Sequence, residues 1–139
     1  MGYSENLKNR CIAILDTSIL MLIAEGKLSL EDIETALPHC ILAVLDVVIF
    51  ELQKLSSEKG LKARRAEWIL SNIVPRLRLI RSGIEGNVDD ALLQFATAQR
   101  CVIITSDRGL KNRAVKRGIS VAFFRESKRG FELIGSELV

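Results

Sequence analysis

Five acidic residues of this chain sit where apolar runs end or are interrupted. Asp16 closes the run CIAIL and is followed by Thr17 and Ser18. Asp107 follows Thr105 and Ser106 at the end of the run VIIT. Glu51 lies within an otherwise apolar stretch of Val47, Val48, Ile49, Phe50 and Leu52, and Asp89 and Asp90 stand near the start of VDDALLQFA. Carboxylates brought to one place repel one another and hold their protons more tightly unless a cation neutralises them. Hard divalent ions with all-oxygen ligands are their natural partners, and Mg²⁺ or Mn²⁺ suits a phosphate-handling site. Such a site can activate water and clamp the oxygens of a phosphodiester, which calls for several acids and no obligatory His or Cys.

The apolar pattern shows how these acids would be positioned. Cys11 to Leu15 reads as a buried strand, with Thr17 and Ser18 as N-caps for a helix from Ile19. Ser29 and Asp32 open a second helix that ends before Pro38, and Ile41 to Leu45 is the next strand. A helical segment then runs through Val48, Glu51, Leu52 and Leu55. After the Lys59-Gly60 loop, Leu61, Ala66, Ile69, Leu70 and Ile73 recur at helical spacing up to Pro75. Leu77 to Ile80 fits a short strand, followed by a Gly-containing connection. Val88 to Gln99 is a helix, Val102 to Thr105 a strand, Arg108 to Lys116 a short basic helix, and Ile119 to Phe124 the final strand.

Short apolar strands alternating with helices imply a parallel sheet covered on both faces. Ligands of open parallel sheets lie outside the carboxyl ends of the strands, where Asp16 and Asp107 fall. The first turn of the helix from Val88 is expected to bring Asp89 and Asp90 to the same rim. Each acid also has a plainer role. Asp16 and Asp107 can cap helices, Glu51 can be the polar side of an amphipathic helix, and Asn87 can cap the helix bearing Asp90. Asp89 would then only favour the helix dipole.

The 139 residues are expected to form one domain over 1–139, with 48% apolar and 27% charged residues, and disorder is not expected. At 5% aromatic, the composition gives no obvious stacking platforms for bases. Net charge is +3 with a pI near 8.9. The basic residues concentrate late, with Arg108, Lys111, Arg113, Lys116 and Arg117 in or just after one helix, then Arg125, Lys128 and Arg129. This is either a solvated face or a contact for a phosphate backbone. His39, the lone histidine, follows Pro38 and reads as a surface turn residue. Cys11, Cys40 and Cys101 form an odd set without a CxxC pair, so neither a disulfide nor a structural zinc site is expected. Met1 to Arg10 is polar, without the look of a signal peptide, and no run is long enough to span a membrane. A cytoplasmic location is the corresponding expectation.

The pattern resembles the PIN-domain family of metal-dependent ribonucleases over nearly the whole chain. AILDTSIL is similar to the family's opening strand and Asp-Thr-Asn or Asp-Thr-Ser turn, and VIFELQKL to its Glu-Leu segment. VDDALLQFA is similar to its Asp-led helix, in which Asp89 has Leu92, Leu93 and Ala96 at the family's spacing. VIITSDRGLK matches the Thr-x-Asp turn, and GISVAFFR the closing strand. The resemblance implies a three-layer α/β/α sandwich with a central parallel sheet of about five strands, and endonucleolytic cleavage of RNA leaving 5′-phosphates. It assigns catalysis to Asp16, Glu51, Asp89 and Asp107, with Asp16, Asp89 and Asp107 holding Mg²⁺ or Mn²⁺. Ser18, Asp90, Thr105 and Ser106 would support them. Ser18 stands where the family often has Asn, Ser106 where it has Asn or Arg, and Asp46 where it often has Pro.

Two branches of the family stay open. One is rRNA processing with a ribosome-assembly partner, toward which the Asp89-Asp90 pair leans; the other is the toxin of a toxin–antitoxin pair. A catalytically inactive RNA-binding or assembly module is the rival from outside enzymology. Receiver and Asp-x-Asp phosphatase patterns do not fit, and no GxxxxGK[ST] or GxGxxG loop is present. The apolar helices before Pro75 suit either a homodimer or ordinary core packing.

Overall fold

A computed structural model describes residues 11–138. The expectation for Met1 to Arg10 lies outside these residues. Six strands among them form one sheet in the order β3-β2-β1-β4-β5-β6. They are β1 (Cys11–Leu15), β2 (Cys40–Leu45), β3 (Arg78–Ile80), β4 (Val102–Thr105), β5 (Val121–Arg125) and β6 (Gly130–Ile134). Six helices connect them: α1 (Thr17–Ala24), α2 (Leu30–Ala36), α3 (Asp46–Ser56), α4 (Leu61–Asn72), α5 (Val88–Gln99) and α6 (Arg108–Lys116). All pairings are parallel except β5 with β6.

The central strands are buried on both faces. Ile14, Leu15, Ile103 and Ile104 are fully enclosed, which is why their sequences read as continuous apolar runs without alternation. The chain leaves β1 toward β2 and β3, then returns across the sheet to place β4 on the other side of β1. Right-handed crossovers in the two directions put the two sets of helices on opposite faces. Accordingly α4 packs on α1 and α3, whereas α5 packs on α6; α3 also meets α5. The junction of β1 and β4 is thus the point at which the winding direction reverses, and the crevice outside their carboxyl ends is the natural ligand site of such a sheet.

The helices start where local chemistry dictates. Ser29 and Asp32 form a reciprocal capping box on α2. Asn87 caps α5 through its bond from the Asp90 amide. At α1 the cap is Asp16 itself, which accepts from the Ile19 amide; Thr17 and Ser18 are already helical and use their hydroxyls elsewhere. His39 is exposed in the turn before β2, as expected. Among the described residues, no helix is long and apolar enough to cross a membrane.

Beyond the cap of α1, where Asp16 replaces the expected Thr17 and Ser18, two further expectations are corrected. β5 is not the final strand: the chain turns through Glu126–Lys128, passes Arg129 in a left-handed conformation (φ 50°), and returns as β6 antiparallel to β5. In addition, Cys11 and Cys40 are joined in a disulfide. They are direct partners in the β1–β2 register, so two residues 29 apart in sequence become neighbours. Sequence spacing does not reveal proximity across a parallel crossover, and the odd cysteine count is explained by Cys101. That residue is a buried free thiol whose pKa burial pushes up to about 11.

Candidate active site

The site is built outward from Asp16, which is 3% exposed at the carboxyl end of β1. Its amide continues the sheet by donating to the Ile104 carbonyl at 3.1 Å, fixing its position relative to β4. Its Oδ1 accepts from the Ser18 hydroxyl at 2.6 Å and the Ile19 amide at 3.1 Å. Its Oδ2 accepts from the Thr105 hydroxyl, also at 2.6 Å. Burial raises the Asp16 pKa to about 6, even though the bonds from Ser18, Thr105 and Ile19 favour the carboxylate; the negative charge of Asp89 adds to the rise.

The β4 end is joined to the same network. Thr105 is fully buried, and its Oγ1 accepts from the Asp107 amide at 2.9 Å. The Ser106 amide donates to Ser18 Oγ at 3.1 Å, so the contact that Ser106 makes here runs through its main chain. Asp107 is exposed and caps α6, its Oδ1 accepting from the amides of Gly109 and Leu110 at 2.8 and 3.2 Å. Glu51, one helical turn into α3, accepts a hydrogen bond from the Thr17 hydroxyl. The first turn of α1 is thereby tied to the second turn of α3 at the rim.

Asp89 and Asp90, adjacent in sequence, part company. Asp90 is exposed and pairs with Arg113 of α6 at 2.5 Å. Asp89 is half-buried, and its pKa is raised by burial first and then by the charge of Asp107, with Arg113 opposing and Glu51 and Asp90 adding. Asp89 links the acids of this rim: its charge is felt at Asp16, and those of Asp107 and Glu51 are felt at Asp89. Their chemistry fits a hard divalent cation: the donors are all oxygen, and the bias toward protonation at Asp16 and Asp89 is what a cation would relieve. Among the described residues no three His, Cys, Asp or Glu side chains form a ready-made metal cage. An ion that keeps several waters and takes one or two carboxylates directly would suit these residues.

The basic residues divide along α6. Arg108 and Lys111, near its start, lie over the ring of Phe123 on β5, with charge-to-centroid distances of 5.9 and 4.8 Å. Arg113 is engaged with Asp90. Lys116 ends the helix and Arg117 is its C-cap, about 12 Å along the axis from the rim at 1.5 Å per residue. Phe123 as the seat of two cations and Asp46 as a structural tether have no local signal in the sequence. Asp46 accepts from the Ser82 hydroxyl at 2.6 Å and the Gly83 amide at 3.0 Å, pinning the β3–α5 connection to the start of α3. Burial works against its charge, but the bonds from Ser82, Gly83 and Val47 prevail and hold its pKa below the usual carboxylate value.

A doubly wound sheet with acids at its switch point places the chain among α/β proteins whose ligand site lies at the carboxyl ends of the strands. Known proteins narrow this further. A family profile described as a PIN like domain matches residues 13–127, and the chain belongs to that family. Ribonuclease VapC9 of Archaeoglobus fulgidus is 29% identical over 126 residues, which cover 91% of each chain. Among solved structures, the PIN domain endonuclease Utp24 superposes with a TM-score of 0.68 at 25% identity, covering 88% of this chain and 90% of that one. The structure of VapBC2 from Rickettsia felis bound to a promoter DNA fragment has a TM-score of 0.59 at 20% identity, over 73% of this chain and 92% of that one, a likeness of fold.

Proposed function

We propose that this protein is a metal-dependent endoribonuclease in which Asp16, Glu51, Asp89 and Asp107 form the catalytic rim. The observation that carries this reading is Asp16 itself. It is a buried carboxylate locked by Ser18, Ile19 and Thr105, within the field of Asp89 at the sheet's switch point. Asp16, Asp89 and Asp107 would hold Mg²⁺ or Mn²⁺ directly or through water, and the ion would supply charge neutralisation and an activated water. Glu51, oriented by Thr17, accepts a proton from the attacking water. Thr105 and Ser18 keep the Asp16 carboxylate in one orientation. Attack of water on phosphorus breaks the bond to the 3′ oxygen, leaving a 3′-hydroxyl and a 5′-phosphate. Arg108 and Lys111 present positive charge to the strand as it approaches the rim.

Endonucleolytic cleavage is supported by the likeness to the endonuclease Utp24 over most of both chains, and processing of ribosomal RNA is the finer reading toward which the Asp89-Asp90 pair leans. The relation to Ribonuclease VapC9 supports a second, a toxin restrained by an antitoxin, and the exposed Leu61 and Trp68 on α4 suit a protein partner. The direct test is cleavage of a mixed-sequence RNA by the purified protein in Mn²⁺, in Mg²⁺ and in EDTA, with Asp16→Asn alongside. Metal-dependent products lost in the variant are expected. RNA binding without metal-dependent turnover would replace this reading with the non-catalytic module. Growth arrest on expression, relieved by a co-encoded protein, would favour the toxin over rRNA processing.

A further inference from the structure

We infer that the groove between α3 and the β3–α5 connection is a nucleobase subsite, seating one unstacked base of the RNA beside the scissile phosphate. The inference rests on the nuclease reading above and names how the substrate is held. The groove encloses about 430 Å³, and Val47, Ile84 and Val88 give it an apolar lining. Phe50 forms one wall and is 64% exposed, and among the described residues it stacks on no other aromatic. Two of its lining residues offer nitrogen donors. Lys54 contributes an ammonium, and Asn87, whose Oδ1 is occupied in capping α5, retains its amide hydrogens for a ligand. Glu51 and Glu85 also line the groove, but an exposed aromatic face beside aliphatic side chains and two nitrogen donors matches a base, whose faces are apolar and whose carbonyl oxygens and ring nitrogens accept hydrogen bonds.

Location argues for RNA over a peptide or a second copy of the chain. Glu51 belongs to both the groove and the catalytic rim, and Val88 precedes Asp89. A nucleotide with its phosphate among the acids would therefore have its base within reach of Phe50. The groove is also preformed, because Asp46 anchors its outer wall through Ser82 and Gly83, so little ordering is required on binding.

The test measures binding of a single-stranded RNA oligonucleotide in Mg²⁺ by fluorescence anisotropy, using the Asp16→Asn chain to prevent cleavage. Adding Phe50→Ala should weaken binding roughly five- to hundredfold, the usual effect of losing one base–aromatic stack, and Phe50→Trp should restore it. Abasic substitution scanned along the oligonucleotide should find one position that causes a similar loss with Phe50 present and no further loss in Phe50→Ala. Unchanged affinity in Phe50→Ala, or equal abasic losses with and without Phe50, would overturn the inference while leaving metal-dependent cleavage by the wild type intact. A change in oligomeric state or in affinity for a protein partner, with RNA binding unaffected, would likewise overturn it and assign the groove to a protein contact. Failure of the wild type both to bind and to cut RNA would sink the nuclease reading and the subsite with it.

Discussion

Replacing Asp16 with Asn should remove catalysis and, in metal-free solution, make the protein more stable. The folded-state pKa of about 6 stands against 3.8 for a free carboxyl. Between these values the folded state retains a proton that the unfolded chain has already released. Stability therefore falls as pH rises from about 4 to about 6, and the loss is complete above that. Two pKa units at 1.36 kcal/mol each make the ionised Asp16 a burden of about 3 kcal/mol at neutral pH. The Asn variant has no such burden, although its amide satisfies Ser18, Ile19 and Thr105 less well than a carboxylate. A net gain of about 1–3 kcal/mol, or on the order of 5–10 °C in Tm, is expected in EDTA at about pH 7.5, shrinking toward zero near pH 4. Thermal and urea denaturation of both proteins across that range would measure it. Added Mg²⁺ should then stabilise the wild type and not the variant, because an ion that binds only the folded state adds stability by mass action. An Asn variant that is less stable than the wild type at neutral pH without metal, or one with the same pH dependence, would refute the reasoning.

Three further outcomes are expected. Single Ala replacements of Arg108 and Lys111 should each lower the slope of log affinity against log salt for RNA by about 1, whereas Arg117→Ala should leave it unchanged because Arg117 lies at the far end of α6. Reducing Cys11–Cys40 should cost about 3–4 kcal/mol, from the entropy of a loop of 29 residues, and should spare activity, since the bond sits at the opposite end of β1 from Asp16; urea midpoints with and without reductant would show it. Gly135→Ala would set a methyl group 2.6 Å from Ser120 Cα at a φ of +115°, so a loss of at least about 1–3 kcal/mol is expected, and an unchanged urea midpoint would disprove the clash.

Much of the scaffold was legible because burial on both faces of the central strands writes itself as apolar runs, and helix starts carry recognisable caps. Val88–Gln99, Val102–Thr105 and Arg108–Lys116 follow the pattern residue for residue. The four candidate acids stand out in the sequence for a related reason, since each marks the edge of such a run or breaks it. β6 was not, because Phe131 and Ile134 are half-buried around exposed Glu132 and Leu133, so an edge strand of five residues lacks a two-residue period. The tether at Asp46, the cations over Phe123 and the Cys11–Cys40 bond all join residues remote in sequence. No local pattern encodes them; they follow from the strand order.

That strand order also bears on when activity can arise during synthesis. Asp16 and its hydroxyl partner Thr105 are separated by 89 residues, and Asp107 comes later still. A nascent chain displays the first acid long before it can enclose it, because β4 must insert beside β1 to complete the rim. At roughly 5–20 residues per second, the interval is about four to eighteen seconds. On the function proposed above, RNA hydrolysis would therefore wait until translation had moved well past the codon for Asp16.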